Sequence, residues 1–215
     1  VARYESAAVA GETANLSSVV LKAADVLRSG GVLAHPTETV YGIGGAVSLE
    51  VDERIGRLKG RSVHEAPILR IALDAPALQM AFPELVWPAA ARRLAEQFWP
   101  GPLTLVLEGD SGTSMAVRAE GHPVMRAVLG AWGRPMGSSS LNLSGEPAAV
   151  TADEAARTLD AMPDVGAAVL LLDAGSLRGP PPSTLVSFVG STPSVLRDGA
   201  VPRRVIESLF EEASR

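Results

Sequence analysis

The sequence predicts an α/β fold built as one domain. Three observations carry this expectation. Segments with helical apolar spacing alternate with short apolar runs of strand length. No internal repeat and no linker long enough to divide the chain interrupts the alternation. Finally, 215 residues of which 47% are hydrophobic can bury one sizeable core.

Leu16 to Arg28 sets Val19, Val20, Ala23, Val26 and Leu27 at helical spacing, and Gly30-Gly31 stops that helix. Gly31 to His35 is a short apolar strand. It runs into Pro36-Thr37-Glu38-Thr39-Val40-Tyr41-Gly42-Ile43-Gly44-Gly45, whose glycines permit close approach of the backbone to something. Asp52 to Lys59 predicts a second helix with Gly60 just past its end, then a polar loop, Arg61 to Glu65, and a strand, Ile68 to Leu73. Pro88 to Phe98 is a further helix, and the turn Trp99-Pro100-Gly101-Pro102 launches a strand, Leu103 to Leu107. Met115 to Arg118 is a strand, followed by a helix, Val124 to Leu129, with Pro123 at its first position. Met136 to Leu143 is a stretch of small and polar residues, and Thr151 with Glu154 has the spacing of a capping box at the next helix. Strands at Ala168 to Leu172, Thr184 to Phe188 and Val195 to Arg197 and a helix from Pro202 to Glu211 complete the pattern. The Pro180-Pro181-Pro182 run is a stiff loop with strands on both sides.

Composition excludes several chemistries. With no cysteine there is no disulfide framework, no Cys-ligated zinc or iron–sulfur cluster and no thiol nucleophile. His35, His64 and His122 are the three histidines, and none stands in HExxH spacing. A net charge of −5 argues against broad electrostatic binding of nucleic acid, while a local basic cluster for a small phosphorylated ligand stays compatible with it. No apolar run reaches the roughly 18 residues of a spanning helix, and the first 18 residues lack the pattern of a secretory signal, so the expected location is the cytoplasm. Of 19 basic residues only Lys22 and Lys59 are lysines. Either these are what an arginine-rich bias left over, or one site needs a compact ammonium rather than a planar fork.

Polar residues gather at strand ends, where α/β sheets bind ligands. Lys59-Gly60-Arg61 reads as a basic last helical turn with a glycine cap, or as a pair of cations holding phosphates. No P-loop glycine pattern is present. Ser140 and Asn142 fall on one face of a strand end, either satisfying a local turn or reading a ligand head group. No G-x-S-x-G occurs, which weakens a serine hydrolase. Arg118 and Arg197 each end an apolar strand, as surface residues or as partners for a carboxylate or phosphate.

Taken in chain order, these segments resemble the YrdC-like family of threonylcarbamoyl-adenylate synthases. The resemblance rests on Pro36 to Gly44, Lys59-Gly60-Arg61 and Ser140-Leu141-Asn142, which match the family's Pro-Thr-Glu-Thr-x-Tyr-Gly-Leu-Gly, Lys-x-Arg and Ser-x-Asn segments. It extends to Pro100 to Thr104, Ala116 to Arg118, Asn142 to Pro147, Ser183-Thr184 and Leu196 to Ala200, nearly the whole chain. It implies a YrdC-like fold, a twisted mixed β-sheet flanked by helices, over residues 1–215 with its core at about 14–205 and no additional C-terminal domain.

The resemblance also implies an activity. L-threonine, bicarbonate and ATP would give threonylcarbamoyl-AMP and pyrophosphate, feeding modification of the adenosine beside the anticodon of tRNA. A tRNA-modifying transferase would be the partner protein, with direct tRNA contact left open. By resemblance Lys59 and Arg61 are catalytic and hold ATP phosphates, and Ser114, Asn142, Thr151 and Arg197 also contact the nucleotide. Val150 competes with Thr151, because the loop before it is one residue longer than usual. Arg118 would pair with the threonine carboxylate, and Thr37, Ser140 and Ser183 would complete the amino-acid pocket. Mg²⁺ would accompany ATP, with no metal ligand from protein side chains. Ser62, Ala66 and Ser187 depart from the family pattern at the rim of this inferred site. The alternative is a YciO-type RNA-binding or regulatory module with little synthase activity.

Overall fold

Short runs with apolar residues on both faces make strands that must be covered twice, and the amphipathic helices between them supply the cover. The computed structural model describes residues 5–8, 13–60, 68–110, 112–163, 168–179 and 181–213. In chain order these form β1 (Glu5–Ala8), α1 (Thr13–Arg28), β2 (Val32–His35), β3 (Gly42–Ala46), α2 (Leu49–Leu58), β4 (Leu69–Ala72), α3 (Ala75–Ala81) and α4 (Ala89–Phe98). There follow β5 (Leu103–Glu108), β6 (Ser114–Ala119), α5 (Pro123–Trp132), β7 (Met136–Ser140), α6 (Ala152–Ala161), β8 (Val169–Asp173), β9 (Thr184–Ser187), β10 (Ser194–Arg197) and α7 (Arg203–Ala213).

The ten strands of the described residues join one mixed sheet in the order β1-β8-β2-β3-β7-β4-β6-β5-β9-β10. The pairs β1/β8, β8/β2, β4/β6 and β5/β9 are parallel, whereas β3 runs antiparallel to both β2 and β7 and the edge strand β10 is antiparallel to β9. The α/β expectation and the mixed sheet flanked by helices are therefore what the chain forms.

Alternation sorts the side chains onto the two faces. On one face Leu33 of β2, Ile71 of β4, Met136 of β7 and Leu170 and Leu172 of β8 pack with Val20, Ala23 and Leu27 of α1 and Val128 and Leu129 of α5. On the other, Val32 and Ala34 of β2 and Leu171 of β8 meet Val51 and Ile55 of α2 and Leu159 of α6. Farther along, Leu103, Leu105 and Leu107 of β5, Val117 of β6 and Val186 of β9 are covered by Leu78 of α3, Leu94 of α4 and Ile206 of α7. Leu103, Leu105 and Leu107 face these helices, so the alternate residue Thr104 faces the opposite side. That side holds the cavity described below.

Three elements lie outside the predicted pattern. β1 pairs with β8 at the sheet edge with mostly exposed residues, and so shows no apolar alternation. α3 is a short helix whose N-cap is Asp74, accepting from the backbone N–H of Ala77 at 2.8 Å, with a proline in its first turn. β3 is the glycine-rich stretch Gly42 to Ala46, four of whose five residues are buried. A Cβ on Gly44 would overlap the carbonyl of Gly137 on β7, so the close approach those glycines permit is to the neighbouring strand. The second helix starts three residues before the predicted Asp52, because Ser48 caps it by accepting from Val51 N–H at 3.2 Å.

Candidate functional site

β5, β6, β7, β3 and β9 together floor a cavity of about 360 Å³. Ile71, which belongs to the core under α1 and α5, is the register partner of Arg118. Arg118 therefore rises from the same sheet face, beyond the ground those two helices cover. Thr37, Arg118, Ser140, Ser183 and Arg197 all line this one cavity, together with Thr104 and Ser138. Residues 37, 118, 140, 183 and 197 come from three strands and two loops far apart in sequence.

Lys59 follows α2 as its C-cap residue and is only 2% exposed. Its Nζ donates to the carbonyl of Ser140, to Ser140 Oγ at 3.2 Å and to Asn142 Oδ1 at 2.7 Å. Ser140 Oγ in turn donates to Asn142 Oδ1 at 2.6 Å. The lysine, the serine and the asparagine form one polar unit at the end of β7. The Asn142 amide donates to Leu143 and Glu146 carbonyls at 2.9 and 2.7 Å, which fixes its orientation. Lys22, the other lysine, is an exposed partner of Glu5 and ties α1 to β1. Only one of the two lysines is at the site.

Arg118 is buried and paired with Glu120, with Glu38 Oε2 at 3.7 Å from its Nη2. Burial alone would depress the guanidinium, but Glu120 and Glu38 outweigh it and keep the charge in place. Burial likewise favours the neutral form of Glu120, yet Arg118 beside it holds that carboxyl below the usual range. Glu38 is pushed the opposite way, up to about 8, by burial and then by Glu120. Arg197 donates to the Ser183 carbonyl at 3.0 Å and to Ser183 Oγ at 3.2 Å, and Thr104 Oγ1 lies 2.9 Å from the same hydroxyl. Burial, then Arg118 across the cavity, lowers Arg197. Two guanidiniums facing one cavity, with an ammonium at its rim, make a place for anions.

His35 ends β2 behind this wall and is fully buried. Its Nδ1 lies 3.1 Å from the Pro36 carbonyl and must donate to it, so its Nε2 accepts from Ser138 Oγ at 3.1 Å. Burial lowers His35 to about 4, and the ring is neutral near pH 7. Thr37 Oγ1 donates to the Val40 carbonyl at 2.7 Å and shapes the turn after β2.

Of the predicted nucleotide residues among those described, Arg197 lines the cavity, Lys59 and Asn142 adjoin it through their bonds to Ser140, and Ser114 and Thr151 lie away from the lining. Ser114 is exposed at the start of β6, on the face it shares with Ala116 and Arg118. Thr151 is the N-cap of α6, accepting from Glu154 N–H at 3.1 Å in a complete capping box. Arg61, with Ser62 and Ala66, lies outside the described residues. Ser187 is buried on β9, its hydroxyl accepting from Val189 N–H at 3.2 Å. Glu38, Glu120 and Thr104 are site residues that motif reading passed over. The signal for Glu120 was its period-two spacing from Arg118.

Among the described residues no helix is long and apolar enough to cross a membrane.

The family model Sua5_yciO_yrdC, described as telomere recombination, matches residues 25–199. A Pyrococcus abyssi protein named threonylcarbamoyl-AMP synthase is 32% identical over 200 residues, 88% of this chain and 56% of that protein. A Mycobacterium tuberculosis relative is 32% identical over 91% of each chain. The crystal structure of P. abyssi Sua5 complexed with L-threonine superposes with a TM-score of 0.79 at 30% identity, over 96% of this chain and 60% of that one. The chain thus spans little more than half the length of the Pyrococcus protein. A match over residues 25–199, with the same fold at 30% identity, leaves one conclusion: the chain belongs to the Sua5/YciO/YrdC family.

Proposed function

We propose that this protein makes threonylcarbamoyl-AMP and pyrophosphate from L-threonine, bicarbonate and ATP. The observation that carries the reading is the single cavity in which Arg118, Thr37, Ser140 and Ser183 converge, with Arg197 on its wall and Lys59 bonded to Ser140. Support comes also from the names of the relatives and from the threonine in the P. abyssi structure.

In this reading the threonine amine and bicarbonate combine to a carbamate with loss of water. A carbamate oxygen then attacks the α-phosphorus of ATP, the new O–P bond forms, and the bond to the β-phosphate oxygen breaks with pyrophosphate taking the electron pair. Such a displacement needs positioned reactants and neutralised charge more than a covalent nucleophile. Arg118 pairs with the threonine carboxylate, and the hydroxyls of Thr37, Ser140 and Ser183 orient the rest of the amino acid. Lys59 and Arg61 hold phosphates as catalytic cations. Arg197, Asn142 and Ser114 contact the nucleotide.

Mg²⁺ brought by ATP would neutralise phosphate charge. The cavity offers hydroxyls and cations rather than a set of free carboxylates, so that ion would stay on phosphate and water oxygens. The product is a reactive mixed anhydride, so a tRNA-modifying transferase must take it up, and a role in tRNA modification puts the protein in the cytoplasm.

Pyrophosphate release measured with each substrate omitted in turn tests the proposal. Release is expected only when threonine, bicarbonate and ATP are all present. ATP turnover that continues unchanged without threonine or bicarbonate contradicts it and favours a nucleotide-binding hydrolase, whereas no release with all three present contradicts it in favour of an RNA-binding or regulatory module.

A further inference from the structure

The carboxyls of Glu38 and Glu120 converge on one guanidinium, Glu120 fully buried and Glu38 partly so. Glu120 is fully buried and accepts from Arg118 through Oε2, while its Oε1 accepts from His122 N–H at 3.1 Å. Glu38 Oε1 accepts from Gly121 N–H at 2.8 Å, so each acid of the pair is held through one oxygen by a backbone N–H. Glu38 Oε2 is buried and meets no donor within hydrogen-bond distance among the described residues. A carboxylate oxygen left without a donor in such a place is costly, and a proton on it removes the cost by making it a donor to Glu120. Two carboxyls that converge on the same Arg118 nitrogen, one of them through an oxygen with no donor, cannot both stay ionised cheaply.

We propose that Glu38 is a positioning residue that shares one proton with Glu120, so that Arg118 faces a single negative charge and stays free to bind the substrate carboxylate. With both acids ionised, Arg118 would be overcompensated, and an arriving carboxylate would meet a net negative charge. With Glu38 neutral, Arg118 and Glu120 balance and Arg197 remains as an unbalanced cation on the cavity wall. Glu38 thus sets how strongly the pocket attracts an anion without touching the anion itself.

The other charged and titratable groups around the pair are few. His35 on β2 is neutral because of its burial. Burial also lowers His122, against the pull of Glu120. Arg126 of α5 donates to the Glu120 carbonyl at 3.3 Å and to the Leu73 carbonyl at 2.9 Å, and Arg197 stands across the cavity. None of these would change charge between about pH 7 and 9.5 if His35 and His122 are already neutral. The displaced value of Glu38, about 8, lies in that window.

This inference rests on the reading that Arg118 binds the threonine carboxylate. L-threonine binding is measured by isothermal titration calorimetry from pH 7 to 9.5 on the wild type and on Glu38→Gln, whose amide can keep the Gly121 bond and the contact to Glu120. The amine of threonine titrates in both proteins and cancels in their ratio. The wild type is expected to lose affinity relative to Glu38→Gln by about tenfold or more across the window. A ratio that is constant with pH overturns the proposal, since a merely structural Glu38 would shift affinity equally at every pH. The ¹³C shift of the Glu38 side-chain carboxyl in the wild type gives an answer that needs no ligand. Protonation at pH 7 is expected, and ionisation at pH 7 overturns the shared proton. If Glu38 is protonated and threonine fails to bind the wild type at all, the shared proton stands and the functional reading falls.

Discussion

Lys59 is buried with its ammonium against Ser140 and Asn142, in a chain whose other site cations are arginines. A compact ammonium fits between those oxygens, whereas a planar guanidinium needs more room and a different set of acceptors. Lys59→Ala should therefore lose about 2–4 kcal/mol of transition-state stabilisation, roughly thirty- to a thousandfold in kcat/KM for ATP, in a chain that still folds. Lys59→Arg should fail to restore it. Near-normal turnover in either variant would mean that this lysine only closes the end of α2. His35 makes a separate prediction for stability. Its folded value lies below that of an exposed histidine, so the unfolded chain takes up the proton first as the pH falls. Stability from this group is complete above about pH 6.5 and is lost on the way to about pH 4. The loss is on the order of 3 kcal/mol. Glu38 works in the opposite sense, because the folded state holds its proton longer: stability is lost as pH rises from the ordinary carboxylate range to about 8. Urea unfolding at pH 4.5, 6 and 8 checks both, with His35→Gln flattening the acid side and Glu38→Gln the alkaline side.

The elements show which local signals suffice. Thr151 and Glu154 announced their helix because a capping box satisfies the first backbone N–H groups wherever it occurs. The same bonds occupy the Thr151 side chain. Thr151→Ala is expected to cost about 1 kcal/mol of stability and to leave the KM for ATP unchanged. A raised KM at unchanged stability would instead place the threonine at the nucleotide. β3 was hidden for the opposite reason. Glycines carry no apolar alternation, and what holds Gly42 to Ala46 in the sheet is pairing with β2 and β7 on both sides. Gly42 also lies against His35, where a Cβ would come within 2.7 Å of Cε1. Gly42→Ala is expected to destabilise the protein by about 1–3 kcal/mol through overpacking, measurable as a lower urea midpoint. α3 had a signal in Asp74 and the proline after it, but seven residues are too few for a helical apolar stripe to show.

At the scale of the whole molecule, the architecture was legible because each strand and helix repeats its own period, and the sheet order was not, because pairing joins segments distant in sequence. The site divides in the same way. Lys59, Ser140 and Asn142 stood out as short motifs, and the fold brings them into hydrogen-bond contact. The convergence of Arg118, Arg197, Thr37 and Ser183 on one cavity depends on the order β7-β4-β6-β5-β9, which no local pattern encodes. The Glu38–Glu120 pair was still less visible, since a carboxyl in a motif gives no sign of being buried beside another. The net charge of −5 also takes its proper meaning here: the molecule is acidic overall, yet three cations are collected around one cavity. The central claim is that this cavity holds threonine and the phosphates of ATP together. A crystal structure of the protein soaked with L-threonine and a non-hydrolysable ATP analogue tests it most directly. The account predicts the threonine carboxylate on Arg118 with its hydroxyl among Thr37, Ser140 and Ser183, and phosphate oxygens within hydrogen-bond distance of Lys59 Nζ. Threonine bound elsewhere, or a nucleotide whose phosphates lie away from Lys59 and Arg197, would contradict it.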